Sequence, residues 1–459
     1  MTSPIDDLRR TFHDRLKSGD AEAWHQVIQK QATERGVIYG ERTVCRVLEP
    51  LFISRSQYQL ILSRAELCVS ALKKVAALAR QDPQVWARLK FTRDEEELLS
   101  IPGGYGQHDQ IARLDSFLNE AGDPVFLEYN GESPGGIAYG DSLGQIFDGL
   151  APIQELAEAY PMSRRPVTIE VVRTLRKTYY EWAARQGVGA RTEPQVAIID
   201  LADMPTIGEF EIFRKLFEST GMPCRIASPD QLRFDDGEVY VGDFRVDIIY
   251  RRLLTADLLK NFASDHPLVR VMRENLAFVA NGFGGYLLSH KGLFALLSDP
   301  NITAQVLTDE EIEAVRISIP WTRMVEETET KSPIDGAMKP LRQIAMEHQE
   351  QLVIKGALGY GGQNVCLGWT VSAEEWQQVF EAGLQSPHVI QKRLFIPTME
   401  YPAWVDGSLK FLPLHFDIDP YILDGRRAHG LGIRLAADDM LNVATGAGSA
   451  VPAYIVEDR

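Results

Sequence analysis

The sequence predicts a mixed α+β / α/β fold spread over several domains, and three observations carry that prediction. Apolar residues recur at helical spacing within residues 1–98. A hairpin signature follows, and beyond it a strand–helix–strand run leads into a strand-rich C-terminal part. At 459 residues the chain exceeds what one hydrophobic core usually organises, so about two to four domains are expected. Junctions rich in Pro, Gly and charge suggest boundaries that divide it into 1–98, 99–190, 191–260 and 261–459.

The elements follow in chain order. "YQLILSRAELCVSALKKVAALARQ" (58–81) alternates apolar and polar residues at three- and four-residue spacing, an amphipathic helix. In "DPQVWARLKF", Asp82 and Pro83 are placed as a helix start. The texture changes at 101–136, where two apolar runs, 111–118 and 125–130, flank "NEAGD". That is a β-hairpin with Gly122 at the permissive turn position. Residues 151–188 return to helix. Residues 195–255 read β-α-β: "QVAIID" as a buried strand, "EFEIFRKLFESTG" as a helix stopped by Gly221, then "PCRIASPDQL" and "EVYVGDFRVDIIYRRL" as further strands. Residues 265–300 read as helical around "NGFGGYLLSHKGLFALLSD", and 350–435 as strand-rich.

Bulk properties exclude several function classes. A formal charge of −16 disfavours a general binder of nucleic acid or of anionic membranes. No run of about 18 apolar residues is present to span a bilayer. The charged N-terminus lacks the apolar stretch of a signal peptide. The four cysteines are scattered, with no zinc spacing, which fits reduced thiols in the cytoplasm.

Candidate chemistry begins at the hairpin. Residues i and i+2 of a strand share a face, so Arg113 and Asp115 point together, as do Glu128 and Asn130. If the two faces coincide, one guanidinium stands beside Asp, Glu and Asn oxygens. Magnesium takes such hard ligands, and an arginine can stabilise charge during phosphoryl transfer. A solvated polar face is the plainer alternative. "LVIKGALGYGGQNVCLG" (352–368) runs apolar strand, Lys355, glycine-rich loop, strand. Such a loop lets backbone N–H groups close over phosphate. It is not a P-loop, because GxxxxGK[ST] is absent. A flexible turn with a snorkelling lysine is the competing account. Gln391 ends a strand-like "HVIQKRL", Arg434 follows a Gly-rich turn in "RRAHGLGIRLA", and Lys291 opens an amphipathic helical stretch. Alone, each reads as well as a surface group.

Together and in this order, these stretches resemble the circularly permuted ATP-grasp family, which includes the synthetase half of glutathionylspermidine synthase. The hairpin comes early, then an α/β unit ending in "VDIIYRRL", a "NGFGG…K" helix, and the Lys/Gly-loop sheet. In ordinary members the metal-binding strands come last, and this inversion is what suggests permutation. The resemblance covers about residues 100–455. It implies Asp115, Glu128 and Asn130 as magnesium ligands and Arg113 as the group stabilising the transferred phosphoryl. It implies Lys291, Lys355 and Arg434 at the ATP phosphates, Gly359, Gly361 and Gly362 in a phosphate lid, and Gln391 near adenine. The glutathionylspermidine synthetases usually carry an acidic residue soon after the E-x-N turn, and "GESPGGIAYGD" differs from them there in composition and spacing, so the glutathione and spermidine contacts are not transferred.

The activity implied is ATP- and Mg2+-dependent ligation of a small-molecule carboxylate to an amine through an acyl phosphate. A small-molecule kinase on the same fold and a catalytically inactive nucleotide-binding protein are the alternatives. Tyr105, Glu132, Ser133, Arg251 and Arg252 lie near the motifs as candidate substrate contacts, the two arginines suited to a carboxylate. Arg252 reads equally well as a structural ion pair. Partners are small molecules, with neither nucleic acid nor membrane expected. The oligomeric state is left open, a homodimer being the form considered.

Overall fold

A computed structural model describes residues 4–105, 109–263, 265–359, 364–438 and 448–458. Its central element is a four-stranded antiparallel sheet in the order Arg427–Gly432, Asp419–Leu423, Ile111–Leu118, Pro124–Asn130. The last two strands are the expected hairpin. Gly122 turns it at φ +85°, a conformation that penalises a Cβ, and the Asn119 carboxamide oxygen accepts from the N–H groups of Ala121 and Asp123, each at 2.9 Å. Arg113 pairs with Asn130 and Asp115 with Glu128, so the two polar faces coincide. A bulge follows, because Ser116 pairs with Phe126 and leaves Leu127 without a cross-strand partner. It locally breaks the alternation just below the polar end of the strand.

One face of this sheet is covered by the long helix Arg55–Gln81, started by the Ser54 hydroxyl accepting from Gln57 N–H at 3.1 Å. Its apolar stripe, including Cys68, Val69, Leu72 and Val75, shares a core with Ala112, Leu114, Phe126, Tyr129, Phe294 and Ile422. The next helix begins at Pro83, with the Asp82 carboxylate accepting from Gln84 and Val85 N–H, as its sequence suggests. The strand Leu51–Ser54, just before the long helix, runs parallel to the late strand Ala453–Val456.

The β-α-β region forms a parallel sheet in the order Phe278–Ala280, Ile248–Arg251, Val196–Ile199, Cys224–Ala227. Its two central strands are buried at every position, as expected where both faces are covered. The helix Ile207–Ser219 ends before Gly221, which sits at φ +78°. Within the stretch expected to be helical, Phe278–Ala280 is instead the fourth strand, too short for period-two alternation to show. The helix Gly292–Leu297, expected to be amphipathic, is buried at every residue and lies inside the molecule.

Residues 322–392 build a separate antiparallel sheet in the order Thr322–Met324, His388–Lys392, Leu352–Gly356, Val365–Leu367. One face, with Leu352, Ile354 and Ile390, packs on Leu341, Ile344, Trp376 and Phe380 of two helices. The other carries Lys355 and Gln391. The Gly-rich "turn" before Arg434 is the edge strand Arg427–Gly432. Its glycines are there for closeness: a Cβ on Gly430 would lie 2.3 Å from Val167 Cγ2, and one on Gly432 would lie 2.9 Å from the Tyr421 hydroxyl. All four cysteines are free, and no helix among the described residues is long and apolar enough to cross a membrane.

Candidate active site

The hairpin end opens into a cavity of about 210 Å³ lined in part by Arg113, Asp115, Glu128, Asn130, Gly359 and Arg434. Asp115 is its focus. Arg113 donates to both its oxygens, Nε to Oδ1 at 2.7 Å and Nη2 to Oδ2 at 3.0 Å. Asn130 Nδ2 donates to Oδ1 at 2.8 Å, and Arg434 Nη2 to Oδ2 at 2.6 Å. Burial alone would raise the Asp115 carboxyl, but the Arg113 and Arg434 guanidiniums outweigh it and hold it well below the usual carboxylate range.

Two further carboxylates stand behind Arg434. Asp417 Oδ2 accepts from Arg434 Nε at 2.7 Å, and Asp419 Oδ2 lies 3.0 Å from Arg434 Nη2 and 3.5 Å from Arg113 Nε. Asp419 Oδ1 accepts from Ser116 N–H at 2.9 Å, which ties the strand Asp419–Leu423 to the hairpin. Burial pushes the Asp417 carboxyl up to about 6 against the pull of Arg434, and Asp115 adds to the rise. Asp419 is raised well above its ordinary value by burial, then by Asp115 and Asp417. Three carboxylates and two guanidiniums thus form one compact buried network. Sequence reading missed Asp417 and Asp419. The signal was present in "HFDIDPY", where two aspartates stand two apart at the junction of two strands.

Lys291 meets the hairpin, and Lys355 stands on the neighbouring antiparallel sheet. Lys291 Nζ lies 3.1 Å from Glu128 Oε2 and donates to Gly359 O at 3.3 Å, while its backbone N–H is fixed by Ala357 O at 2.8 Å. Lys355 Nζ donates to Gln391 Oε1 at 2.8 Å, and Gln391 Nε2 donates to Thr322 Oγ1 at 3.0 Å. Burial brings Lys355 down to about 8, with Glu128 opposing the fall and Lys291 adding to it. Gly359 adopts φ +121°, a glycine conformation, at the start of the loop. Gly361 and Gly362 lie outside the described residues.

The turn "GESPGG" forms the remaining wall, with Glu132 and Ser133 lining the cavity. Glu132 Oε1 accepts from Arg251 Nη2 at 2.9 Å, from Thr255 N–H at 3.1 Å and from the Thr255 hydroxyl. Arg251 also donates to Asn281 O at 2.9 Å and Leu253 O at 2.8 Å. Arg252 donates to Pro134 O at 3.1 Å and Glu209 Oε2 at 3.0 Å. Both guanidiniums are buried and engaged from beneath the turn rather than turned into the cavity. Tyr105 is also buried; its hydroxyl donates to Val279 O at 2.6 Å and its ring meets Phe278 edge-on. Asn281 seams these parts together. Its Oδ1 accepts from Gln110 and Ile111 N–H, and its Nδ2 donates to the carbonyls of Ile111, Gly131 and Glu132.

Asp115, Glu128 and the Asn130 carboxamide oxygen make a hard-oxygen donor set of the kind a divalent cation such as Mg2+ prefers. The cationic side chains now on Asp115 and Glu128 mark where positive charge is most favoured. Beside this set, two lysines and two arginines can meet phosphate oxygens.

No family model matches the chain. Over 327 residues, 69% of the chain, it is 24% identical to a Frankia casuarinae protein named "Putative glutamate--cysteine ligase 2-2". The chain spans only 34% of that relative's length. Among solved structures, a glutathione synthetase-like effector from Globodera pallida, in its apo form, is similar at a TM-score of 0.58 and 12% identity, over 99% of this chain and 98% of that one. The chain has a glutathione synthetase-like fold.

Proposed function

We propose that this chain is an ATP-dependent carboxylate–amine ligase of the ATP-grasp type, forming an amide through an acyl phosphate. The observation that carries this reading is the meeting of Asp115, Glu128, Asn130 and Arg113 with Lys291 and Arg434 around one cavity. The hairpin early in the chain, paired with the late strand Asp419–Leu423, favours a permuted order of the fold. The relative named for glutamate–cysteine ligation supports the reaction class.

In this reading Asp115, Glu128 and Asn130 hold Mg2+, which supplies charge neutralisation at the phosphates. Lys291 and Lys355 bind the nucleotide phosphates, Gly359, Gly361 and Gly362 close over them, and Gln391 borders the adenine. Arg113 stabilises the transferred phosphoryl group and the oxyanion that follows. Arg434 serves the phosphates while Asp417 and Asp419 orient it. Glu132 and Ser133 face the substrates, small carboxylates and amines. Arg251 and Arg252 shape their turn from below, and Tyr105 supports the strand beneath. The free cysteines favour a reducing compartment, the cytoplasm.

An ADP-release screen over amino acids, peptides and polyamines tests the proposal. We expect ADP to form only when a carboxylate and an amine are both present, and to be lost in Glu128→Gln. ADP formed with one substrate alone would make the protein a kinase. Full activity in Glu128→Gln would sink the metal assignment.

A further inference from the structure

A second groove, of about 690 Å³, runs beside the edge strand Thr322–Met324 of the small antiparallel sheet and shares no lining residue with the cavity around Asp115. Strand alternation separates the two. Thr322 and Gln391 are cross-strand partners on the face that carries Lys355. Trp321, Arg323 and Lys392 are each one residue away in sequence, so they point to the opposite face. They line the groove together with Lys331, Arg393 and Phe395.

Its charge is unusual for a chain of net charge −16. The lining includes five cations and no carboxylate. Only Arg316 among them ion-pairs with a described residue, Glu313 at 2.6 Å. Arg323 is the most telling. It is partly buried, yet every acceptor it meets is neutral: Thr330 Oγ1 at 2.8 Å, Ser298 Oγ at 2.8 Å and Thr322 O at 2.8 Å. Burial lowers its pKa, only partly offset by the more distant Asp299. A charge taken out of water usually gains a counter-charge, and among the described residues none lies within ion-pair distance of Arg323. Arg393 is likewise met by a ring, its guanidinium 3.8 Å from the Trp369 centroid. The walls are apolar, with Phe395 53% exposed and Trp321 pinned by its indole N–H on Lys331 O at 3.1 Å. The volume falls in the range of about 300–1,000 Å³ that holds small ligands.

We infer that this groove is a second ligand site, taking a small molecule with a planar apolar body and a phosphate or carboxylate group. Arg323 anchors the anion from within, Lys331 and Lys392 flank it, and Trp321 and Phe395 cover the apolar part. The inference stands independently of the ligase reading.

Phenyl phosphate and benzoate are suitable probes, followed by calorimetry on the full chain. Lys331→Glu/Lys392→Glu changes two exposed residues, so it keeps the fold, checked by an unchanged melting transition. We expect saturable binding of at least one probe, weakened about tenfold or more in the double variant and unaffected by Lys355→Gln. The better probe identifies the anion as phosphate or carboxylate. Absence of saturation by either probe up to about 10 mM would overturn the inference. So would binding that survives the double variant, or that disappears in Lys355→Gln, which would assign the anion to the other face.

Discussion

Lys355 concentrates the electrostatic logic of the sheet face it shares with Gln391 in one group. Its ammonium is brought down to about 8 by burial, so above that pH it loses the charge a phosphate needs. A bound polyphosphate favours the charged form and draws the proton back. Below about pH 7 the amine is already protonated and binding moves no proton; near pH 9 binding takes up roughly half a proton or more. Calorimetry of ATP binding in buffers of different ionisation enthalpy should therefore show uptake near pH 9, little near pH 7, and none in Lys355→Gln. Affinity should fall as pH rises through about 8. Buffer-independent heats at both pH values would remove Lys355 from the nucleotide contacts. The position of this lysine at a strand end before a glycine-rich loop was legible in the sequence. Its partner Gln391 was singled out too, but for adenine; that its carboxamide spans Lys355 and Thr322 depends on a cross-strand register that the sequence does not display.

At the scale of elements, local pattern carried far and distant pairing did not. The hairpin was readable because its strands, its turn glycine and its polar face all lie within a short stretch, and i, i+2 geometry does the rest. Asp417 and Asp419 escaped notice because they reach the site through pairing of Tyr421 with Arg113, strands far apart in the chain. Phe278–Ala280 was hidden for a different reason, being three apolar residues inside a helix-rich stretch. Asn281, at its end, joins that parallel sheet to the hairpin through two accepted and three donated hydrogen bonds. Asn281→Ala strands two buried N–H donors and up to three carbonyls. At about 1–3 kcal/mol for each unsatisfied group, partly relieved by relaxation, the loss should be about 3 kcal/mol or more. Urea unfolding measures it directly, and a loss under about 1 kcal/mol would mean that the seam is held elsewhere.

The whole molecule puts the N-terminal helices in a different light from their sequence, which shows no chemistry there. The helix Arg55–Gln81 buries ten residues, among them Ile61, Val69, Leu72 and Val75, and most of that stripe lies in the core under the hairpin sheet. Four such aliphatic side chains contribute about 1.5–3 kcal/mol each, about 6–12 kcal/mol together, comparable with the net stability of a typical domain at about 5–15 kcal/mol. The segment that follows reaches the cavity around Asp115 as well. Glu95 accepts from the hydroxyl of Tyr286, a cavity-lining residue, at 2.5 Å. Arg88 pairs with Glu326 at 2.8 Å, and Lys90 Nζ donates to Leu384 O at 3.1 Å, tying this region to the lobe that bears Lys355. A chain starting at residue 100 would therefore expose the underside of the hairpin sheet and release one wall of the cavity. It should be recovered as aggregate or give no cooperative melting transition by circular dichroism, whereas the full chain melts cooperatively. A truncated chain that melts cooperatively and keeps the full chain's ATP affinity would show instead that these helices are a separable domain, and that the sheet can bury its face without them.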